Sequence, residues 1–401
     1  MVRPTLPKYE IIENTLNKIT KKPGTKATYR SNINLYFKLL NIKNPDNYFN
    51  NNRDYTKDLW NVAEKIENMP PKTQNTFISV VKRFLSRNDI EIKSREWEDI
   101  ASRNELTRAY AIVDDVIPKP NQLKRLLQIA DPKIKTLIQF LATAGCRIDE
   151  AVQLKLTDID MDKRMVTIKP EISKTSKKRY TFFTEETKQI LEMWMRERKR
   201  FIMNSFTKSI YKRNNLEDKG YNIKKSGDKW KVSKDGERLK KEDMVELEER
   251  LFPFTPQNAT LCLVNLLEKV GEPFNQKDRN PRLKHPRYRY HFHSLRKFWF
   301  HSFQNTDANK NHIDFMGGHQ SLLDRTYTDF LNNPERLKDT YDKFSSCLNI
   351  FETTPDLTET HKEIEKLRRD KEEMQKTLDE MKAQIMELRL EKLEQLNGLK
   401  K

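Results

Sequence analysis

Six residues between positions 147 and 327 have the types needed to work on a phosphodiester. They are Arg147 in "AGCRIDEA", Lys174 in "ISKTSKKRY", His293 and Arg296 in "HFHSLRKFWFH", His319 in "FMGGHQ" and Tyr327 in "DRTYTDF". Two arginines can fork-bond the non-bridging oxygens of a phosphate and neutralise the charge that develops in a pentacoordinate transition state. A lysine on a hairpin tip can protonate a leaving oxygen, and histidines can add hydrogen bonds and handle protons. A tyrosine, with an unperturbed pKa of about 10, becomes a competent nucleophile where neighbouring cations favour its phenolate. These positions contain no paired carboxylate and no metal box. The set suits phosphoryl transfer without metal or other cofactor.

Composition points to the same class of substrate. The chain has 401 residues, 77 Lys and Arg against 59 Asp and Glu, and a formal charge of +18. Residues 361–401 hold 11 basic and 10 acidic residues, so +17 of that excess lies upstream. A polyanionic partner, nucleic acid, follows from an excess of this size. Cys146, Cys262 and Cys347 are far apart and lack the spacing of a zinc site, and neither a disulfide framework nor a structural metal is expected. The sequence has no apolar signal core and no apolar run long enough to span a bilayer, which predicts a soluble, cytoplasmic protein.

The elements that must position the six residues can be read from periodicity. Residues 1–104 read as short helices with polar breaks. Apolar side chains recur at steps of three and four, as in Tyr29, Ile33, Tyr36, Phe37 and Leu40. Lysines and arginines dot the intervals, as suits a helical module lying along a phosphate backbone. The proline-punctuated stretch 105–117 reads as a linker to a second domain over 118–345. In that domain a helix from Arg147 gives way to a strand over Met165–Ile168, a turn at "ISKTSK" and a second strand "RYTFFT", a hairpin with Lys174 at its turn. A helix follows from Glu185 to Asn204. A charge-dense insertion over 205–250 contains "SGDKWKVSKDG", which can form a small hairpin; its basic residues either touch DNA or are simply solvated. In "HSLR", His293 and Arg296 share one helix face, while Phe298, Trp299, Phe300 and Phe303 anchor the helix in the core. His291 and His301 are assigned to packing or local hydrogen bonds.

Beyond a linker at 346–360, residues 361–401 place Ile364, Leu367, Met374, Leu378, Met381, Ile385 and Leu388 at alternating a and d positions, interrupted by Lys371 and Lys392. This predicts a coiled coil and self-association, with a single amphipathic helix folded back on the body as the competitor. The expected fold class is mainly α with a small β-hairpin or sheet.

The order and approximate spacing of these motifs over 118–345 resemble those of the tyrosine recombinases, the phage integrase family, and the helical N-terminal segment is similar to that family's core-binding, SAM-like DNA-binding domain. The resemblance implies that Arg147 is the first arginine, supported by Glu150 one turn on, and that Lys174 is the general acid, with Lys177 and Lys178 near enough to compete. It implies that His293 and Arg296 form the H-x-x-R pair and that His319 is the histidine of the G-H motif. Tyr327 would be the nucleophile, forming a 3′-phosphotyrosyl link and freeing a 5′-hydroxyl. Tyr327 stands one residue closer to His319 than is usual in the family, and Tyr341 is the reserve candidate.

The activity so implied is site-specific cutting and rejoining of double-stranded DNA by a tetramer on paired sites, its domains clamping the duplex, in the cytoplasm of a prokaryotic host and at its nucleoid. The source would be a mobile element or virus, archaeal viruses included. A type IB topoisomerase and a non-catalytic DNA-binding protein on the same fold are the competing readings.

Overall fold

The computed structural model describes residues 9–50, 53–106, 116–205, 215–227, 229–278, 280, 286–319 and 324–351. The predicted coiled coil over 361–401 and most of both predicted linkers lie outside the described residues. The chain divides into two compact units between Val116 and Ile117, and Leu267–His291 groups with the first. Among the described residues no helix is long and apolar enough to cross a membrane.

The first unit is built on helices α1 (Glu10–Ile19), α2 (Pro23–Leu39), α3 (Tyr55–Lys65), α4 (Pro71–Ser86) and α5 (Ser94–Arg103). Prolines open α2 and α4 at the position where a missing N–H is harmless, and the Asp54 carboxylate caps α3 by accepting from Lys57 N at 2.9 Å. The predicted stripe on α2 is the buried one: Ile33, Tyr36 and Phe37 join Ile12, Leu16, Val62, Phe77 and Phe84 in one core, with Tyr29 and Leu40 packed at its edge. That core holds a polar chain. The Tyr36 and Tyr48 hydroxyls are 2.7 Å apart, Tyr48 donates to Asp58 at 2.8 Å, and Arg53 pairs with the same carboxylate. Helix α5 lies within the stretch expected to be helical. It is richly charged and holds on through Trp97 and Ile100, one turn apart. Between Leu267 and His291, Lys277–Asp278 pairs antiparallel with Arg287–Tyr288.

The second unit opens with α6 (Pro120–Ile129) and α7 (Pro132–Ala144). Asp131 caps α7 by accepting from Ile134 N at 3.0 Å, and Gly145 ends it in the left-handed region at φ 63. A helix leaves its last carbonyls unpaired, and here side chains from three later elements take them. Thr181 donates to Ala144 O at 2.7 Å, Tyr341 to Thr143 O at 2.8 Å, and Arg296 to Gly145 O at 2.5 Å. The end of α7 is therefore fixed from several sides, and Arg147 follows it as the N-cap residue of the single-turn α8 (Ile148–Ala151).

Three short strands come next, β1 (Ile159–Asp160), β2 (Met165–Ile168) and β3 (Arg179–Phe182), in an antiparallel sheet of order β1-β2-β3. The β2–β3 register pairs Ile168 with Arg179, so the predicted hairpin is present and residues 169–178 form its loop. Thr184 caps α9 (Glu185–Asn204), whose bounds match the sequence expectation. The insertion folds into β4 (Asn222–Ser226), β5 (Lys229–Lys234), β6 (Glu237–Arg238) and α10 (Lys241–Leu247). It is a three-stranded sheet with its own small core of Leu216, Val232 and Met244 against Ile202 of α9, a larger structure than the hairpin expected. Then come α11 (Pro256–Val270), α12 (Phe292–Gln304), α13 (Lys310–Gly317), α14 (Asp324–Asn332) and α15 (Pro334–Phe344). Phe298, Trp299 and Phe303 bury α12 in the core as expected, but Phe300, predicted as a fourth anchor, is only half-buried because it packs against Arg296, Gly317 and His319 instead. Mainly α with small antiparallel sheets is the fold class observed.

Candidate active site

Buried charge organises the second unit. Glu150, 1% exposed, accepts from the backbone N and the Nη1 of Arg147 at 3.0 Å each, and from Arg179 Nη2 at 2.6 Å and Nη1 at 3.3 Å. Burial alone would push this carboxyl up. The ion pair and hydrogen bonds with Arg179, joined by those of Arg147, outweigh it and hold Glu150 below its ordinary range. Arg147 is held by one edge only; its Nη2 makes no hydrogen bond to a described residue, and a quarter of its side chain is exposed. Arg179 is spent inward, its Nε donating to Met316 O at 3.1 Å.

Arg296 is buried at the third position of this cluster. Its two terminal nitrogens donate to the Gly145 and Gly317 carbonyls, bridging the ends of α7 and α13, and its Cζ lies 4.9 Å from the centre of the Phe300 ring. Burial and the charges of Arg147 and Arg179 lower its pKa to about 10, which leaves it cationic at neutral pH. The close approach depends on glycine. A Cβ at Gly317 would enter the Phe300 ring, and Gly318, at φ 70, has Arg179 about as near as a side chain could tolerate.

Gly318 turns the chain so that His319 lies against Phe300, ring centres 4.3 Å apart and planes within 11°. His319 Nδ1 is 3.2 Å from Asp314 Oδ1, the contact that orients the ring. Tyr327, on α14, completes a cleft lined by Thr175, Lys177, Arg179, Phe315, Gly318 and His319. Its ring packs on Phe315 at 5.1 Å, Lys177 Nζ lies 4.8 Å from its centre, and its hydroxyl donates to the Lys178 carbonyl. Burial raises the Tyr327 pKa and the Arg179 charge opposes that rise.

The sequence profile described as "Phage integrase family" matches residues 118–330, more than half of the chain. The chain belongs to the phage integrase family. It is a site-specific tyrosine recombinase, an enzyme that cleaves and rejoins DNA strands. Solved structures similar to this recombinase include XerA recombinase (17% identity, 83% of this chain and 98% of the other, TM-score 0.31). The Tn1549 transposon integrase in complex with transposon right-end DNA is similar at 16% identity over 80% of this chain and 93% of the other, TM-score 0.48. A lambda integrase tetramer bound to a Holliday junction is similar at 12% over 78% and 76%, TM-score 0.44. No curated protein matches the recombinase sequence significantly.

Within this recombinase the six predicted residues are not all gathered at one point. His319 and Tyr327 share the cleft, and Arg147 joins it through Glu150 and Arg179. Arg296 touches Phe300, on which His319 stacks. His293 is exposed on the first turn of α12, and Lys174 is exposed in the β2–β3 loop; neither lines the cleft, where Lys177 stands instead. Tyr341 is fully buried, its ring against Phe182 and Phe303 and its hydroxyl on Thr143 O. His301 makes the local bond expected of it, to Asn305 at 3.1 Å. Arg179 escaped sequence reasoning: in "KKRYTFFT" it reads as a third surface cation, although a lone charge opening an otherwise apolar strand was a signal that it needed a partner.

Proposed function

We propose that this recombinase cuts duplex DNA by attack of the Tyr327 hydroxyl on a phosphodiester, forming a 3′-phosphotyrosyl link as the bond to the 5′-oxygen breaks. In this reading Arg147 and Arg296 hold the non-bridging oxygens and balance the transition-state charge, with His293 and His319 adding hydrogen bonds. His319, which shares the cleft, takes the proton that the Tyr327 hydroxyl gives up. Lys174 delivers a proton to the departing 5′-oxygen, and Lys177 is the alternative donor. Rejoining runs the same step backwards with a 5′-hydroxyl from another strand, so phosphodiester energy is conserved. The observation that carries the reading is the shared cleft of Tyr327, His319 and Arg179, linked through one buried carboxylate to the partly exposed Arg147. The resting hydroxyl is bonded to Lys178 O, so attack requires that bond to break.

The substrate in this reading is double-stranded DNA, and the working unit is a tetramer on paired sites. Residues 1–104 serve as the DNA-binding partner of the catalytic domain at 118–345, and residues 361–401 self-associate. The +18 charge supports the polyanionic substrate. The enzyme acts at the nucleoid, in the cytoplasm of a prokaryotic host, on behalf of a mobile element or virus.

The test is denaturing-gel trapping on a nicked suicide duplex of a candidate attachment site, comparing wild type with Tyr327→Phe and Tyr341→Phe. Loss of the covalent species with Tyr327→Phe alone is the expected result. Its persistence in that variant, or its absence from wild type despite salt-sensitive binding, overturns the reading. Joining two different duplexes distinguishes recombination from a topoisomerase.

A further inference from the structure

The insertion sheet has two unlike faces. Ile223, Trp230 and Val232 alternate toward the small core of Leu216, Met244 and Ile202. On the opposite face the register sets Lys224 directly across from Lys231, Asn222 across from Ser233, and Arg238 of β6 next to Ser233 on its other side. Lys224, Lys231, Arg238, Asn222 and Ser226 are exposed, and none of the three cations makes an ion pair with a described residue. No carboxylate occupies these register positions; Glu237 pairs with Lys234, one step out of phase.

Like charges directly opposite each other destabilise a sheet. An acidic cross-strand partner, common on exposed sheets, would have removed the conflict at no cost in packing. The face instead keeps cations in adjacent strands, flanked by hydroxyl and amide groups, with a spacing of one residue in two, about 7 Å, along each strand. A narrow antiparallel sheet is also the kind of element that a DNA major groove admits.

We propose that the outer face of β4, β5 and β6 is a second DNA-contacting surface, with Lys224, Lys231 and Arg238 on backbone phosphates. This rests on the reading of the chain as a DNA recombinase, because two or three phosphate contacts bind free duplex weakly. The face belongs to the same unit as the catalytic cleft, and DNA held by that unit meets it at high effective concentration.

The experiment measures the salt dependence of binding of the full chain to a linear mixed-sequence duplex. Each lost phosphate contact makes the slope of log affinity against log salt shallower by about 0.9. Lys224→Gln with Lys231→Gln should therefore lower it by about 2, while Lys225→Gln, on the face opposite, should leave it unchanged. Lys224→Glu, which puts an opposite charge across from Lys231 and so supports the sheet, should lower the slope by a similar amount and keep the thermal midpoint. An unchanged slope in both sets of variants overturns the inference.

Covalent trapping on the suicide duplex separates the two readings. Wild-type adduct with an unchanged slope in the variants sinks only the second surface. A reduced slope without wild-type adduct sinks the strand-cutting reading and leaves the DNA-contacting face standing. The double variant should still trap fully at saturating DNA.

Discussion

Arg179 and Glu150 form a two-point ion pair with both side chains almost wholly buried, 2% and 1% exposed, and the same carboxylate holds Arg147 at the surface. The guanidinium that faces solvent is thus anchored by one that does not. Removing Arg179 leaves the buried Glu150 carboxylate with Arg147 as its remaining cation, and breaking a buried pair costs about 3–5 kcal/mol. Arg179→Met should lose about that much stability in urea unfolding. Adding Glu150→Gln should recover part of it, with a coupling of roughly 1–3 kcal/mol between the two sites. Simple additivity would show that the pair is not the unit described here.

The same carboxylate predicts the sign of an acid effect. Glu150 is held below its ordinary value of 4.5 in the folded protein. A depressed carboxyl stabilises the fold fully above that unfolded value and loses its contribution as pH falls through the folded one. The stability advantage of wild type over Glu150→Gln should be flat near neutrality and shrink below 4.5. Unfolding free energies across the acid range measure this, and an advantage that grows on acidification contradicts it.

The two tyrosines should dissociate stability from chemistry. Tyr341 is buried with its hydroxyl on Thr143 O at 2.8 Å, so Tyr341→Phe strands a helix-end carbonyl and should cost about 1–2 kcal/mol. Its hydroxyl is enclosed in the core and out of reach of a substrate, whereas Tyr327 lines the cleft. Tyr327→Phe gives up a bond at a partly open cleft and should change stability by less than about 1 kcal/mol while abolishing the covalent adduct. Thermal melts alongside trapping gels check both.

Much of this was legible in the sequence because it depends on local pattern. The stripe at Ile33, Tyr36 and Phe37 and the β-branched run from Met165 each state their element within one turn or one strand. The aromatic anchors of α12 were readable for the same reason. What stayed hidden depends on partners far away. Arg179 is buried only because Glu150 lies across from it, 29 residues earlier in the chain. That Lys177 rather than Lys174 stands beside Tyr327 is decided by how the β2–β3 loop is folded, with Ser173 and Ser176 bonded back within it and Ser176 at φ 54. Helix α5 has only three apolar residues in ten, Trp97, Ile100 and Ala101, and its position is set by contacts such as Trp60 to Glu96 at 2.7 Å.

Gly145 should be intolerant of any side chain. It sits at φ 63, and an added Cβ would lie 2.5 Å from the Trp299 ring, while its carbonyl is one of the two that hold Arg296. The left-handed conformation costs a residue with a Cβ about 1 kcal/mol and overpacking a further 1–3. Gly145→Ala should therefore lose about 2–4 kcal/mol in denaturant unfolding. Pairing it with Trp299→Leu should relieve the steric part and leave the conformational part. A neutral Gly145→Ala would mean that the end of α7 yields easily and does not fix Arg296.

Arg296→Lys asks whether shape or charge matters at that position. The guanidinium reaches the Gly145 and Gly317 carbonyls with separate nitrogens and keeps further N–H groups for a phosphate, whereas one ammonium cannot span both carbonyls and still present a fork. Burial and the neighbouring arginines already lower the Arg296 pKa to about 10, and a lysine there starts from a lower value, so part of its charge would be lost as well. Under the proposed mechanism, adduct formation at saturating DNA should fall by about 10²–10³-fold, the scale set by removing one preorganised donor to developing charge. The salt slope of binding should fall by no more than about 1. Raising the pH should depress the variant's rate further through loss of the ammonium, while wild type holds its charge to higher pH. A lysine variant with near wild-type rate would reduce Arg296 to a point charge and assign the fork to Arg147 alone.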